Sequence, residues 1–110
     1  MNKNNLSELQ KEDFKTVGVS RKDGKTKTYK TKGFGFFYKY KKWYLYRQEK
    51  MWKIINPETG YLVCENFYQA GAMLEFVNYI NETSFNQQSA MIGIRKEELK
   101  KAGIKLPVNK

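Results

Sequence analysis

The sequence contains no histidine and only one cysteine, and these absences exclude most of the common catalytic and metal-binding chemistry. Histidine is the usual general base near neutral pH, a member of the familiar hydrolase triads and a frequent zinc ligand. The lone Cys64 can form neither a disulfide within the chain nor a thiolate cluster around a metal. Its place in the run YLVCE predicts a buried or half-buried residue rather than a reactive thiol.

Other motifs that catalysis requires are also missing or weak. The glycine-containing stretch KGFGFF is too short for a nucleotide-binding loop, and no helical pattern follows it. The acidic residues are scattered, and the adjacent pairs Glu12-Asp13 and Glu97-Glu98 are typical of exposed helix surface. We therefore predict that the protein is not an enzyme and that it needs no cofactor or metal.

No apolar run approaches the roughly 18 residues that a membrane-spanning helix needs. The start of the sequence, MNKNNLSELQKEDF, lacks the apolar centre of a secretory signal. A single cysteine also suits a reducing compartment. We therefore expect a cytoplasmic protein with no membrane partner.

Positive charge is abundant and is concentrated in one part of the chain. The formal net charge is +10, and residues 14–53 contain 13 Lys or Arg and two acids, a net +11. Residues 54–94 contain no Lys or Arg and four Glu. Such asymmetry bears on partners and association rates rather than on the fold. Because like charges repel, we expect residues 14–53 to meet a polyanion.

The length and the hydrophobic pattern predict a single small domain, residues 1–110, of the α+β class. We expect an antiparallel β-meander of three to five strands, packed by one amphipathic helix, with short helices near both termini. Residues 16–32 are predicted to form a basic hairpin, because Asp23-Gly24 supplies the positive φ of a tight turn. Residues 34–65 are rich in aromatic and β-branched side chains and are predicted to form antiparallel strands.

Short helices are predicted near the two ends of the chain. Ser7 and Gln10 have the spacing of a capping box, which favours a helix over residues 8–13. Near the other end, TSFNQQS resembles a polar connection, and a helix is expected over residues 95–102. That helix should close at Gly103, a residue type that favours helix ends.

The main helix is predicted over residues 67–81, where the hydrophobic period changes from two to about 3.6 residues. The stripe expected to face the sheet consists of Phe67, Ala70, Leu74 and Val77, with Met73 and Ile80 beside it. Ile54, Leu62 and one row of the aromatic side chains would complete the core.

The stretch from Thr28 to Ile55 interleaves lysine with aromatic residues. Lysine attracts phosphate backbones through counterion release, and exposed rings stack on unpaired bases. We therefore predict a nucleic-acid-binding surface formed by Lys25, Lys27, Lys30, Lys32, Lys39, Lys41, Lys42, Arg47, Tyr38, Tyr40, Trp43 and Tyr44. An ordinary half-buried sheet gives a similar pattern, and about half of the nine aromatics between Phe34 and Trp52 are expected in the core.

Lysine rather than arginine dominates this surface, which limits the base specificity that it can supply. The two-pronged contact with guanine is mostly made by arginine, and the chain has only Arg21, Arg47 and Arg95. We expect a small basic nucleic-acid-binding protein with weak base specificity, an accessory factor of a phage or mobile element. DNA is the favoured nucleic acid over RNA.

The sheet and its hairpin are better candidates for this contact than the main helix, whose only interior charge is Glu75. The order of strands and helix over residues 26–81, with a basic sheet face, resembles that of the small arm-site DNA-binding domains of phage and transposon integrases. This resemblance rests on topology and charge and carries over no individual residue.

Two other functions are compatible with the sequence. The first is a protein-binding inhibitor or adaptor, for example a phage protein that acts on a host nucleic-acid enzyme, with Tyr and Trp as interface anchors. The second is an assembly protein whose sheet edges pair into oligomers. The oligomeric state and the strandedness of the nucleic acid stay open at this level.

Overall fold

The computed structural model describes residues 6–39 and 41–109, which form a five-stranded antiparallel sheet and two helices. The strands are β1 (Gln10–Val19), β2 (Thr26–Tyr38), β3 (Lys41–Gln48), β4 (Met51–Ile55) and β5 (Leu62–Asn66), and the helices are α1 (Gln69–Glu82) and α2 (Phe85–Lys101). The strands lie side by side in chain order. The α+β class and the antiparallel sheet are thereby confirmed. Residues 34–65, predicted to form antiparallel strands, contain the end of β2, the whole of β3 and β4, and all but the last residue of β5.

Tight turns connect the neighbouring strands. Gly24 between β1 and β2 and Gly60 between β4 and β5 have φ of 69° and 70°, and the positive φ at Gly24 is the one that the sequence predicts. Between β3 and β4, Glu49 and Lys50 have φ of 51° and 71°. Two consecutive positive φ angles are what a two-residue type I′ hairpin requires, and Asn-Gly usually supplies them. This turn carries no glycine, so the sequence does not reveal it.

The main hydrophobic core lies between the sheet and α1. Phe76 of α1 is fully buried, and its ring meets those of Phe36, Tyr38 and Trp43 edge to face, with centroids 5.4, 5.6 and 4.9 Å apart. The other buried members are Leu45, Ile54 and Ala72. Aromatic pairs in this geometry stabilise a fold beyond the area that they bury. One helix side chain therefore joins α1 to both β2 and β3.

The sheet curls until the outer edge of β1 meets the turn before β5. The Val17 amide donates to the Gly60 carbonyl at 3.1 Å. Beside it, Asn109 Oδ1 accepts from the Lys15 amide at 2.7 Å, and Asn109 Nδ2 donates to the carbonyls of Lys15 and Pro57 at 2.8 and 3.1 Å. Because unpaired strand edges invite pairing with other chains, these contacts protect the β1 edge.

A second aromatic cluster fills the inside of the curl, on the face of the sheet opposite α1. Phe14 stacks on Tyr44 with ring centroids 4.4 Å apart and meets Tyr46 edge to face at 5.7 Å. The intervening strand β2 has Gly33 at this place, where a Cβ atom would collide with the Leu45 carbonyl oxygen and press on the Phe14 ring. The absence of a side chain at Gly33 therefore lets β1 and β3 share a core across β2.

The predicted helix over residues 8–13 is wrong, because β1 begins at Gln10. The Ser7 hydroxyl does not cap a helix. It accepts from the Phe37 amide at 2.7 Å, while the Ser7 amide donates to the Phe37 carbonyl at 2.9 Å. A helix of six residues has few internal hydrogen bonds, and pairing with β2 offers more. The tertiary partner therefore overrides the local capping signal.

The side chains that α1 buries match the predicted stripe only in part, because Met73, Val77 and Ile80 pack against the core as predicted and the other predicted residues do not. Phe67 and Leu74 are 67% and 63% exposed, whereas Ala72 and Phe76 are fully buried. Phe67 precedes the helix, which begins at Gln69, so it does not set the phase of the buried face. Successive residues of an α-helix are about 100° apart around its axis, so a side chain two residues away from Phe76, such as Leu74, points about 200° away from it. Leu62, also predicted in the core, is 46% exposed.

The C-terminal helix is longer than predicted. The prediction was residues 95–102, but α2 begins at Phe85, inside the segment assigned to a polar connection. Ser84 Oγ accepts from the Gln87 amide at 3.1 Å, and Gln87 Oε1 accepts from the Ser84 amide at 3.0 Å. This is a complete capping box, a start signal that polar composition obscured.

The predicted end of this helix is confirmed. Gly103 has φ of 76°, and the Ile104 amide donates to the Leu99 carbonyl at 2.9 Å. The Gly103 amide donates to the Lys100 carbonyl at 3.0 Å, which completes a Schellman motif. Leu99 is fully buried, so the last turn of α2 is held against the rest of the fold.

Candidate nucleic-acid interface

The distal part of the β1–β2 hairpin, residues 16–32, extends beyond the rest of the sheet, and we call it the basic arm. β2 pairs with β3 only from Phe34 onwards, so the arm is a ribbon of two strands. Its six basic residues, Arg21, Lys22, Lys25, Lys27, Lys30 and Lys32, are all exposed. Asp23 is its one acid. The arm therefore presents a net positive charge on a narrow ribbon.

The turn of the arm is ordered by Asp23. Its carboxylate accepts from the Lys25 amide at 3.0 Å and forms an ion pair with Lys27 Nζ at 3.0 Å. The hydrogen bond from the Lys25 amide, followed by that from Lys27, lowers the pKa of Asp23. Asp23 thus offsets the charge of Lys27. The predicted residues Lys25, Lys30 and Lys32 remain as exposed cations along the ribbon.

The predicted lysines at the other end of β2 and in β3 lie against the sheet body. Lys42 Nζ forms an ion pair with Glu12 Oε1 at 2.6 Å, and this hydrogen bond raises the pKa of Lys42. Lys39 Nζ donates to Asn81 Oδ1 at 2.6 Å, and Lys41 Nζ lies 5.0 Å from the centre of the Trp43 ring. These three lysines make contacts within the fold, whereas Lys25, Lys30 and Lys32 are exposed on the arm.

The structure does not expose the predicted aromatic residues. Tyr38, Trp43 and Tyr44 are 1%, 4% and 4% exposed. The first two belong to the core with Phe76, and Tyr44 stacks on Phe14. Their rings therefore cannot stack on bases in this conformation. Tyr40 lies outside the described residues.

A groove of about 840 Å³ opens on the concave side of the curled sheet, at the base of the arm. Tyr29, which is 42% exposed, and Tyr46 are the aromatic residues that line it. Burial raises the pKa of Tyr46. The charged residues that line the groove are Arg21, Lys30, Lys32, Arg47, Lys53 and Glu49. Of the predicted residues, Arg47, Lys30 and Lys32 are thus brought to one groove.

The prediction omitted Tyr29, Arg21 and Lys53, which also line this groove. The exposure of Tyr29 could have been predicted from the sequence, because an aromatic residue in a hairpin with few apolar neighbours has no hydrophobic core to pack into. Lys53 was not, since its place depends on the β3–β4 register, which sets it opposite Tyr46. Local pattern alone could not bring it to the concave face.

Cys64 and the acidic residues are the remaining candidates for reactive or metal-binding groups. Cys64 is half-buried, as predicted, its Sγ lies 3.6 Å from the Ala72 carbonyl oxygen, and burial raises the pKa of its thiol to about 12. Within residues 6–39 and 41–109, no group of three or more Cys, Asp or Glu is arranged to hold a metal ion. In that same part of the chain, neither helix has both the length and the apolar character needed to cross a membrane.

No protein-family model matches the chain, and no curated protein or solved structure is significantly similar to it. The resemblance to integrase arm-site domains therefore gains no support from a solved structure. An origin in a phage or mobile element stays a prediction. Function has to be argued from the side chains and their arrangement.

Proposed function

We propose that this protein binds nucleic acid through the phosphate backbone, with the basic arm as its main contact. One observation carries the proposal: six exposed basic residues and one acid lie on a ribbon of two strands that β3 does not reach and that contacts the rest of the sheet at its base, between Val17 and Gly60. Mutual repulsion among these groups costs stability in isolation. Phosphates relieve that repulsion and release condensed counterions as they bind.

Double-stranded DNA is the partner that this geometry favours. The major groove of B-DNA admits a two-stranded β-ribbon, and the arm has that form. Stacking on unpaired bases would need exposed rings, and three of the predicted rings are buried. Arg21 is the only arginine of the arm, so most contacts would be lysine–phosphate contacts that fix position rather than read sequence.

The test is a titration of fluorescently labelled duplex and single-stranded oligonucleotides between about 50 and 200 mM salt. A variant with Lys25, Lys30 and Lys32 changed to Gln should lose affinity for duplex DNA. Its slope of log affinity against log salt should fall by about one for each lysine that contacts a phosphate.

The matched control changes Lys96, Lys100 and Lys101 of α2 to Gln. Each triple variant loses three positive charges, so the change in net charge is equal in the two. Equal slopes in the two variants would show that the arm is not the contact.

A second candidate function, protein binding as an adaptor or inhibitor, is favoured by the outer surface of α1. Leu74 is exposed there, Phe67 and Tyr68 are exposed just before the helix begins, and Glu75 follows Leu74 in α1. Residues 54–94 carry no basic side chain. Charge complementarity therefore points to a partner protein that presents apolar anchors flanked by Lys or Arg.

This alternative has a distinct signature in co-purification after nuclease treatment and washing at about 0.5 M salt, where exposed charge pairs are screened. A partner that uses this surface should be lost when Phe67 and Leu74 are changed to Ser. The same partner should be retained by the arm triple variant. Loss with the arm variant instead would assign the interaction to the arm.

A further inference from the structure

A second groove, of about 710 Å³, lies between the middle of the β1–β2 hairpin and the C-terminal segment. Three lysines of the hairpin, Lys15, Lys30 and Lys32, line it on one side, and Lys105 lines it on the other. Asp13 is the one acidic residue among its lining residues. Four lysines and one aspartate are thus the charged residues that line this groove.

The strand register concentrates three of these lysines on one face of the hairpin. Lys15 stands directly opposite Lys30, and Lys32 stands opposite Asp13. Lys30 and Lys32 are two residues apart, so their side chains leave the strand on the same face. Like charges directly opposite each other in a sheet are destabilising. The pair Lys15–Lys30 therefore costs the fold some stability, and a bound anion would relieve this repulsion.

The fourth lysine is held in place by specific contacts of the C-terminal segment. The Val108 amide donates to the Glu58 carbonyl at 2.8 Å, and the Asn109 amide donates to the Pro57 carbonyl at 3.0 Å. The Asn109 side chain grips the Lys15 backbone on both its amide and its carbonyl. These bonds hold the C-terminal segment, which contains Lys105, beside β1, the strand that contains Lys15.

We propose that this groove binds consecutive phosphate groups. Lysine is a compact point charge that suits phosphate, and four of them match several closely spaced negative charges better than one. The phosphates can belong to a nucleic-acid backbone or to a free polyphosphate. The first source rests on the proposed function. It is favoured because Lys30 and Lys32 belong to the basic arm and also line this groove, so a backbone bound by the arm would continue into the groove.

The experiment measures binding of tripolyphosphate by calorimetry and of duplex DNA by fluorescence, for the full chain. Lys15→Gln and Lys105→Gln should each weaken tripolyphosphate binding by about threefold to tenfold, the loss of one charge-assisted contact. Each should also lower the salt slope for DNA by about one if the backbone enters the groove. Lys101→Gln, an exposed lysine of α2, is the control and should change neither.

The outcomes separate this inference from the proposed function. A double variant of the arm tip, Lys22→Gln with Lys25→Gln, tests DNA binding without touching this groove. If the tip variant loses DNA affinity while Lys15→Gln and Lys105→Gln bind both ligands normally, the groove is overturned and the arm stands. If these two variants lose tripolyphosphate binding only, the ligand is a free polyphosphate. Thermal unfolding checks that each variant is folded. Lys15 and Lys105 are exposed, so their replacement should leave the core unchanged.

Discussion

The basic arm and the sheet body share the strands β1 and β2, yet the side chains of these strands differ completely between the two regions. In the body, Phe36 and Tyr38 of β2 are buried between β3 and α1. In the arm, Lys30 and Lys32 of the same strand are exposed. The difference follows the neighbours: β2 has β3 beside it only from Phe34 onwards. The strand β2 thus changes from core to surface where its pairing with its second neighbour, β3, ends.

This contrast predicts that stability and binding can be separated by mutation. The buried aromatic residues lie outside the arm, whereas the arm carries six exposed basic residues and one acid. Substitutions in the body should change the free energy of unfolding, and those in the arm should change affinity and its salt dependence. The following changes test that separation in order of decreasing effect.

The largest effect is expected for Phe76→Ala, which removes the ring shared by Phe36, Tyr38 and Trp43. Loss of a buried phenylalanine typically costs about 3–5 kcal/mol in the free energy of unfolding. Urea denaturation measures it. Where the variant remains folded, its salt slope for DNA should equal that of the wild type. A loss below about 1 kcal/mol would mean that Phe76 does not join α1 to the sheet.

Glycine replacements compare the two regions directly. Gly33→Ala in the body forces a Cβ against the Leu45 carbonyl and the Phe14 ring, and overpacking of this kind costs about 1–3 kcal/mol or more. Gly24→Ala in the arm meets no atom within 4 Å and costs only the strain of its positive φ, about 1 kcal/mol.

Gly93→Ala is the control for these two, since it meets nothing within 4 Å in α2 and should stabilise the helix by up to about 1 kcal/mol. Thermal or urea unfolding compares the three variants. Equal costs at Gly33 and Gly24 would contradict the close crossing of β2 and β3.

Titration at high pH should report on the body. Burial raises the pKa of Cys64 to about 12, above the value near 8.5 expected in the unfolded chain. The stability that it contributes is fully present below about pH 8.5 and is lost as the pH rises towards 12. Between pH 9 and 10 the wild type should lose about 1 kcal/mol more than Cys64→Ala. Parallel pH profiles of the two proteins would contradict this.

The arm has its own titration in the acid range. The pKa of Asp23 is lowered by its hydrogen bonds, so the stabilisation from this carboxylate is present above its ordinary value of 3.8 and is lost as the pH falls below it. Asp23→Asn should therefore flatten the acid side of the pH profile and leave the alkaline side unchanged. Chemical shifts of the turn amides would report the transition locally.

The smallest effect is expected for Lys30→Gln in the absence of any polyanion. It removes the repulsion between Lys30 and Lys15, and such cross-strand terms amount to about 0.2–1 kcal/mol. The variant should be slightly more stable than the wild type at low salt, and the gain should vanish at high salt. A loss of stability would show that Lys30 supports the fold.

The sequence alone predicted the features that depend on neighbouring residues. The turn at Gly24 and the helix end at Gly103 were predicted correctly, because a positive φ is a local property that glycine supplies. The strands over residues 34–65 and the exposed basic hairpin followed from alternation and composition. The position of the positive charge along the chain needs no structure at all.

The tertiary structure decided which of several compatible local patterns prevailed. The stretch over residues 8–13 became strand because β2 offers it backbone partners, and Tyr44 became buried because Phe14 reaches it across Gly33. Lys15 and Lys105 are ninety positions apart in the sequence. They line the same groove because Asn109 bonds to the backbone of β1 and holds the C-terminal segment there. Contacts between distant residues depend on register and curl. These are set by the packing of the whole sheet, which no local window of sequence contains.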